Sequence, residues 1–249
     1  AEPLFRSDPA GGVRDPRVHY DGGKLLFSYR KGGSTNYHLY EINIDGSNLR
    51  QLTDGPYDDI EPCYMPDDSI IFVSSRCKRW VQCWLTKVAV LHRCDADGSN
   101  IRAISANLEH DNTPWMLPDG RLIYTRWEYT DKELFRIQSL WTMNPDGSDP
   151  RNVSRRPSRN DWGPAWSPDG LRLAWITGAT TDGEDNWEIF AADADGANQI
   201  NLTNHASDDK FPDWSPDGSK IVFQSDRTGD RDVWVMNADG SNPQNLTNH

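Results

Sequence analysis

The apolar residues of this chain fall in short runs rather than in long amphipathic stretches. Leu25-Leu26-Phe27, Ile70-Ile71-Phe72, Leu122-Ile123-Tyr124, Leu173-Ala174-Trp175 and Ile221-Val222-Phe223 are each three residues long and close on an aromatic ring. A polar turn precedes each one: Tyr20-Asp21-Gly22, Pro66-Asp67-Asp68, Pro118-Asp119-Gly120, Pro168-Asp169-Gly170 and Pro216-Asp217-Gly218. Proline pre-sets φ for such a turn, and glycine supplies positive φ. Short β-branched and aromatic runs bounded by turns predict strands, and this spacing leaves no room for a long helix.

The pattern is also periodic. Asp-Gly recurs at Asp45-Gly46, Asp97-Gly98, Asp146-Gly147, Asp195-Gly196 and Asp239-Gly240, at spacings of 52, 49, 49 and 44 residues. Five residues before each Asp stands a ring: Tyr40, His92, Trp141, Phe190 and Trp234. Seven residues after it comes an aliphatic-hydroxyl pair: Leu52-Thr53, Ile104-Ser105, Val153-Ser154, Leu202-Thr203 and Leu246-Thr247. Four-stranded units of this length predict propeller blades. One unit reads as a strand ending at the Pro-Asp-Gly turn (211–215), the apolar run (220–225), the ring-bearing strand (233–237) and the Leu-Thr strand (244–247). The expected fold is therefore all-β, a five-bladed β-propeller of four-stranded antiparallel blades. Its blades span about 13–54, 55–106, 107–155, 156–204 and 205–249, within one domain over 1–249. A six-bladed ring is the alternative. Residues 1–12 are too few for a blade, but they would supply one strand to blade five and close the ring, which suppresses exposed sheet edges. Spare length collects between the second and third strands, most of it at 76–87 and 126–138.

The stretch Phe211-Pro-Asp-Trp-Ser-Pro-Asp-Gly-Ser-Lys-Ile-Val-Phe-Gln-Ser-Asp-Arg, continuing to Val235-Met-Asn-Ala-Asp-Gly, resembles the TolB-type propeller repeat. Residues 164–203 resemble it nearly as well, and the likeness extends over about 13–249. It implies fold more than function, since this blade serves many unrelated proteins. Within 1–150, Asp15-Pro16-Arg17-Val18, Ser74-Ser-Arg-Cys-Lys-Arg-Trp80 and His110-Asp-Asn-Thr-Pro-Trp115 also resemble the propeller region of a planctomycete family that includes the hydrazine synthase alpha subunit. The haem chemistry of that family uses Cys-x-x-Cys-His attachment sites. None is present: Cys94 is followed by Asp95, and no two cysteines stand three apart. The resemblance therefore carries no haem catalysis into this chain. Early repeats that drift and late ones near consensus fit either uneven divergence or a chimeric or designed origin.

Composition narrows the function classes. The formal net charge of −12 sets the chain against phosphate backbones, so no nucleic-acid partner is expected. No apolar run approaches the length of a membrane span, and no signal peptide is visible. Ala1-Glu2-Pro3 reads equally as a mature N-terminus or a trimmed start. Cys63, Cys77, Cys83 and Cys94 lie in one window, and local disulfides, free buried thiols and a metal site all remain open there. The spacing lacks the paired knuckles that zinc favours.

The candidate site is a ring of acids. Asp59, Asp111, Asp161 and Asp209 each stand three residues before the Pro of a first strand, where repeat one has Val13. First strands line a propeller's channel. The four carboxylates are expected to form a rim that holds a metal ion or a basic segment, because mutual repulsion calls for a positive partner. The competing expectation is that each Asp caps its own strand. Asp95-Ala-Asp-Gly and Asp193-Ala-Asp-Gly superficially match a calcium loop, but its twelfth position, which needs Glu, holds Ala106 and Asn204, so β-turns are expected. His92 fills a slot taken elsewhere by Tyr, Trp or Phe and is expected to pack, while His110 abuts Asp111 and is placed to join the rim. Trp166, Trp175, Trp214 and Trp234 fall at repeat positions and are expected in the core. Trp80, Trp84, Trp127 and Trp187 fall in the long links, where exposure would make them anchors for a protein or sugar. Asn152, Asn201 and Asn245 begin N-x-Ser/Thr sequons that the repeat itself generates.

No nucleophile elbow or metalloprotease helix is present. The leading expectation is a protein-binding or scaffolding propeller, periplasmic or secreted, monomeric, with no catalytic residues and no cofactor of its own. The rival is a propeller enzyme with channel-mouth carboxylates as acid and base, which needs two of them about 5–10 Å apart.

Overall fold

The computed structural model describes residues 5–82, 85–128, 138–155, 159–179 and 186–247. Every regular element among them is a strand, and no helix is long and apolar enough to cross a membrane. Twenty strands form five sheets of four. The first blade is β1 (Gly12–Val18), β2 (Lys24–Arg30), β3 (His38–Asn43) and β4 (Arg50–Gln51). The second is β5 (Asp59–Tyr64), β6 (Ile70–Ser74), β7 (Val90–Cys94) and β8 (Arg102–Ala103). The third is β9 (Asp111–Met116), β10 (Leu122–Trp127), β11 (Gln138–Met143) and β12 (Arg151–Asn152). The fourth is β13 (Arg159–Trp166), β14 (Arg172–Ala179), β15 (Glu188–Asp193) and β16 (Ile200–Asn201). The fifth is β17 (Asp209–Trp214), β18 (Lys220–Ser225), β19 (Asp232–Asn237) and β20 (Gln244–Asn245). Each sheet follows chain order, strand by strand. This is the makeup of a five-bladed propeller. Residues ahead of Gly12 form no strand among those described; Phe5 instead packs on Phe27 and Tyr29 of blade one.

By contact density the chain divides into two compact units, one of Ala1–Met116, Leu122–Tyr124 and Asn144–Ser148, the other of Leu117–Arg121, Thr125–Met143 and Asp149–His249. In the first unit, Leu26, Leu39, Leu52, Tyr64, Ile70, Phe72 and Cys94 share one core. In the second, Ala174, Ile189, Ala191, Ile221, Phe223 and Met236 share another, with Trp214 beside them. Trp175 is fully buried, whereas Trp166 and Trp234 keep partial exposure.

The repeated motifs now acquire physical causes. The Leu-Thr pair extends the last strand without more ladder. Leu52 N–H donates to Leu39 O at 2.8 Å, and Leu39 N–H donates in turn to Thr53 Oγ1 at 3.0 Å. The same hydroxyl bond recurs from Leu91 to Ser105, Leu140 to Ser154, Ile189 to Thr203 and Val233 to Thr247. At each Asp-Gly turn the Asp side chain accepts the N–H two residues on, as Asp45 does from Ser47. The residue after next is left-handed: Asn48, Asn100, Asp149, Asn198 and Asn242 all have φ of 52–55°. Asp97 and Asp195 are thus turn formers, as expected of the calcium-like segments. The turn glycine abuts the preceding blade. A Cβ on Gly98 would lie 2.0 Å from Leu52 O, and one on Gly196 would lie 2.3 Å from Val153 O. Asp-Gly and Leu-Thr are therefore two halves of one blade-to-blade contact.

Candidate functional site

Asp59, Asp111, Asp161 and Asp209 are all fully buried. Asp59 accepts from Ser74 Oγ at 2.7 Å and from Arg76 Nη2 at 2.8 Å. Asp209 accepts from Arg227 Nη2 at 2.8 Å. Asp161 accepts from Thr177 Oγ1 at 2.7 Å and from the indole N–H of Trp175 at 3.1 Å. Asp111 accepts from Asn107 Nδ2 at 3.2 Å. In three of the blades the partner hydroxyl or its equivalent sits directly opposite in the register: Asp59 faces Ser74, Asp161 faces Thr177 and Asp209 faces Ser225. Blade one replaces this pair with Val13 and Tyr29.

The backbone of these aspartates also ties one blade to the next. Asp59 N–H donates to Tyr37 O at 2.8 Å, while Tyr37 N–H donates to the side chain of Asp58 at 2.9 Å. Asp111 and His110 hold Ala89 in the same two-bond manner, and Asp209 and Asp208 hold Trp187. His110 accepts through Nδ1, which requires that nitrogen to be unprotonated; burial pushes its pKa down, in agreement. Asp59, Asp111 and Asp209 thus sit where neighbouring blades lock together.

A second repeated feature escaped sequence reading. Asp15, Glu61, Thr113, Gly163 and Phe211, each immediately before the first-strand proline, all lie at φ of 51–58°. The ladders of β1, β5, β13 and β17 slip at these points, as β-bulges do. The bulge frees a side chain to reach sideways. Asp15 Oδ2 accepts the Glu61 N–H at 3.1 Å, and Glu61 Oε2 accepts the Thr113 N–H at 2.6 Å.

Within the first unit these bulges flank an open cleft of about 840 Å³. Blade one contributes Arg14, Arg30 and Tyr37; blade two contributes Asp58, Ile60, Glu61, Ser75 and, from the arm in its long link, Trp80, Leu85, Thr86, Lys87 and Ala89; blade three contributes His110 and Asn112. The arm is a small hairpin in the long link of blade two. Trp80 pairs with Lys87, Val81 N–H donates to Thr86 O at 3.0 Å, and Val88 N–H donates to Arg79 O at 2.9 Å. Val81 and Val88 point into the core, whereas Trp80 is 61% exposed and Leu85 93%. Of the other link tryptophans, Trp187 packs on the second unit's core and Trp127 is half-buried; Trp84 lies outside the described residues. The only sequence signal for this cleft was the length of the link and its tryptophans.

His92 packs at 5.9 Å from Phe72, as its slot predicts. Cys63, Cys77 and Cys94 are free thiols; Cys83 lies outside the described residues. Burial pushes the Cys94 thiol up to about 12 and raises Cys63 as well. Among the described residues no group of three His, Cys, Asp or Glu is placed to hold a metal.

Comparison with known proteins agrees with this geometry. A family model, the TolB beta propeller domain, matches residues 82–249. A TolB homolog of Chlorobium luteolum is 32% identical over 169 residues, covering 68% of this chain and 34% of that protein. The Tol-Pal system protein TolB of Anaeromyxobacter dehalogenans is 29% identical over 243 residues, covering 84% of this chain and 50% of that protein. The chain thus spans half or less of the length of these curated relatives. Among solved structures, Kuenenia stuttgartiensis hydrazine synthase aligns with a TM-score of 0.66 at 17% identity, over 93% of this chain and 38% of that one. At that identity the likeness is one of fold.

Proposed function

The chain belongs to the TolB beta propeller domain family, and from that premise we propose that it is a protein-docking propeller, without catalysis of its own, that works in the periplasm or outside the cell as a monomer. Its relatives include a Tol-Pal system protein, and an envelope assembly of that kind is the setting we assign to it. The observation that carries the reading is that Trp80 and Leu85, on the arm of blade two, stand in solvent beside a cleft. Large apolar side chains exposed together at the rim of a cleft are the pattern of a surface that a partner covers. Asp59 and Asp111 serve this reading as the locks that fix the first strands of blades two and three, and hence the cleft, in place. A metal ion or basic segment at an acidic rim is kept as the rival role for Asp59, Asp111, Asp161 and Asp209.

The test is surface plasmon resonance of the full chain against the Tol-Pal components of the same cell. The reading expects saturable binding that Trp80→Ala with Leu85→Ser weakens at least tenfold at unchanged thermal stability. Binding that ignores those changes, but disappears in Asp111→Asn with the fold retained, moves the site to the acidic rim.

A further inference from the structure

We propose that the cleft of the first unit takes an acidic peptide segment bearing a large apolar side chain, with the carboxylates on Arg14 and Lys87 and the apolar group on Trp80 and Leu85. This deepens the docking reading and rests on it.

Charge favours an acidic ligand. The chain carries a formal charge of −12, yet its cleft is lined by three fixed cations, Arg14, Arg30 and Lys87, against two acids, Asp58 and Glu61. Those two acids already serve the fold. Asp58 accepts the Tyr37 N–H, and Glu61 accepts the Thr113 N–H and lies 3.4 Å from Arg14. Asp15 pairs with Arg14 more closely, its Oδ2 2.7 Å from Nε, and the same oxygen accepts the Glu61 N–H. The Glu61 side chain is 18% exposed, whereas that of Arg14 is 42% exposed. Lys87 is exposed and makes no ion pair among the described residues. Arg14 and Lys87 are the exposed charges here and both are cations, whereas Asp15, Asp58 and Glu61 are half-buried.

The cleft's cations are also held in place before any ligand arrives. The Arg14 and Arg30 guanidiniums both lie on the Tyr37 ring, at 5.9 and 5.6 Å from its centroid. Arg30 is further held by Ser34 O and Ala10 O. A guanidinium fixed this way loses less freedom when it meets a carboxylate, and the charge-assisted bond is among the stronger ones available. The base of the arm is held as well: Arg79 Nη2 donates to Asn107 O at 3.0 Å, and the arm's own Val81 and Val88 are buried.

The exposed Leu85 separates peptide from sugar. A tryptophan face and cationic side chains suit either ligand. Leu85, which is almost wholly exposed, is satisfied only by apolar contact, and a peptide side chain provides that where a sugar's hydroxyls do not.

The test is selection of displayed random twelve-residue peptides on the full chain, followed by fluorescence anisotropy of the enriched peptides. The expected result is enrichment of Asp or Glu next to Trp, Phe or Leu. Affinity should fall at least tenfold in Lys87→Glu, fall again in Trp80→Ala, and weaken steeply as salt rises from 0.05 to 0.5 M. Enriched peptides without acids, lost in Trp80→Ala but unaffected by Lys87→Glu, overturn the acidic partner and leave the docking face standing. Peptides indifferent to both changes, or no enrichment at all, overturn this inference and the docking face together. A glucuronate oligosaccharide that binds more tightly than any selected peptide overturns it in favour of a sugar. Lys87 and Trp80 are exposed, and circular dichroism of both variants checks that the fold is intact.

Discussion

The blade-to-blade contact at the Asp-Gly turns can be tested with two alanines. Gly98 and Gly120 share a φ of +86°, so an alanine at either site suffers the same left-handed strain. That strain costs about 1–2 kcal/mol, offset by part of a kcal/mol because alanine narrows the unfolded ensemble. The surroundings differ. No atom lies within 4 Å of a Cβ on Gly120, whereas a Cβ on Gly98 meets Leu52 O at 2.0 Å, its carbonyl carbon at 2.7 Å and its Cα at 3.0 Å. Reaching ordinary contact requires blades one and two to part by more than 1 Å, roughly, at a close-packed seam, and overpacking of that kind costs a further 1–3 kcal/mol, about. Gly120→Ala should therefore lose about 1 kcal/mol and Gly98→Ala about 2–4 kcal/mol. Urea unfolding followed by tryptophan fluorescence reads the difference as a lower midpoint at constant slope. Equal losses at the two sites would refute the claim that the Asp-Gly turn abuts the Leu-Thr pair of the preceding blade.

Three further outcomes are expected. Asp209→Ala leaves the Arg227 guanidinium, 11% exposed, without its carboxylate; breaking a buried pair on one side costs about 3–5 kcal/mol, so the melting temperature should fall sharply, and an unchanged one would remove the locking role. His19 is gripped by Asp68 at 2.9 Å and Asp21 at 2.8 Å; burial works against its charge, but hydrogen bonds to Asp68 and Asp21 outweigh it and raise its pKa above 6.5. A raised folded pKa gives stability that is complete below about pH 6.5 and is lost as pH rises through the folded value, so the stability difference between the native chain and His19→Gln should shrink on that rise; a difference that grows would contradict the arrangement. Trp80→Ala and Leu85→Ser should each leave the urea midpoint within about 0.5 kcal/mol of the native one, because exposed side chains contribute little to folding, and a larger loss would place the arm in the core instead.

The periodic positions of this chain determined its fold. Asp-Gly, the offset ring and the Leu-Thr pair are short-range signals, each satisfied within one turn or one strand pair, so five copies at 44–52 residues announce five four-stranded sheets. The same locality made His92 legible as a packing residue and Asp97 as a turn former. What each repeat position does to its neighbour was decided only in three dimensions. That Asp59 and Asp209 are locked by Arg76 and Arg227 follows from a strand register no sequence offset reveals. That residues before the first-strand prolines turn left-handed, and that Asp15 and Glu61 reach the next blade, follows from bulges at a position held by Asp, Glu, Thr, Gly and Phe, which share no residue type that would announce it. The cleft is further still from the sequence, since Arg14, Tyr37, Glu61, Lys87 and His110 come from three blades and meet only because stacked sheets bring distant segments together. Local chemistry repeats with the chain and is written in it, while a surface assembled across blades depends on packing between residues that never stand near one another in sequence.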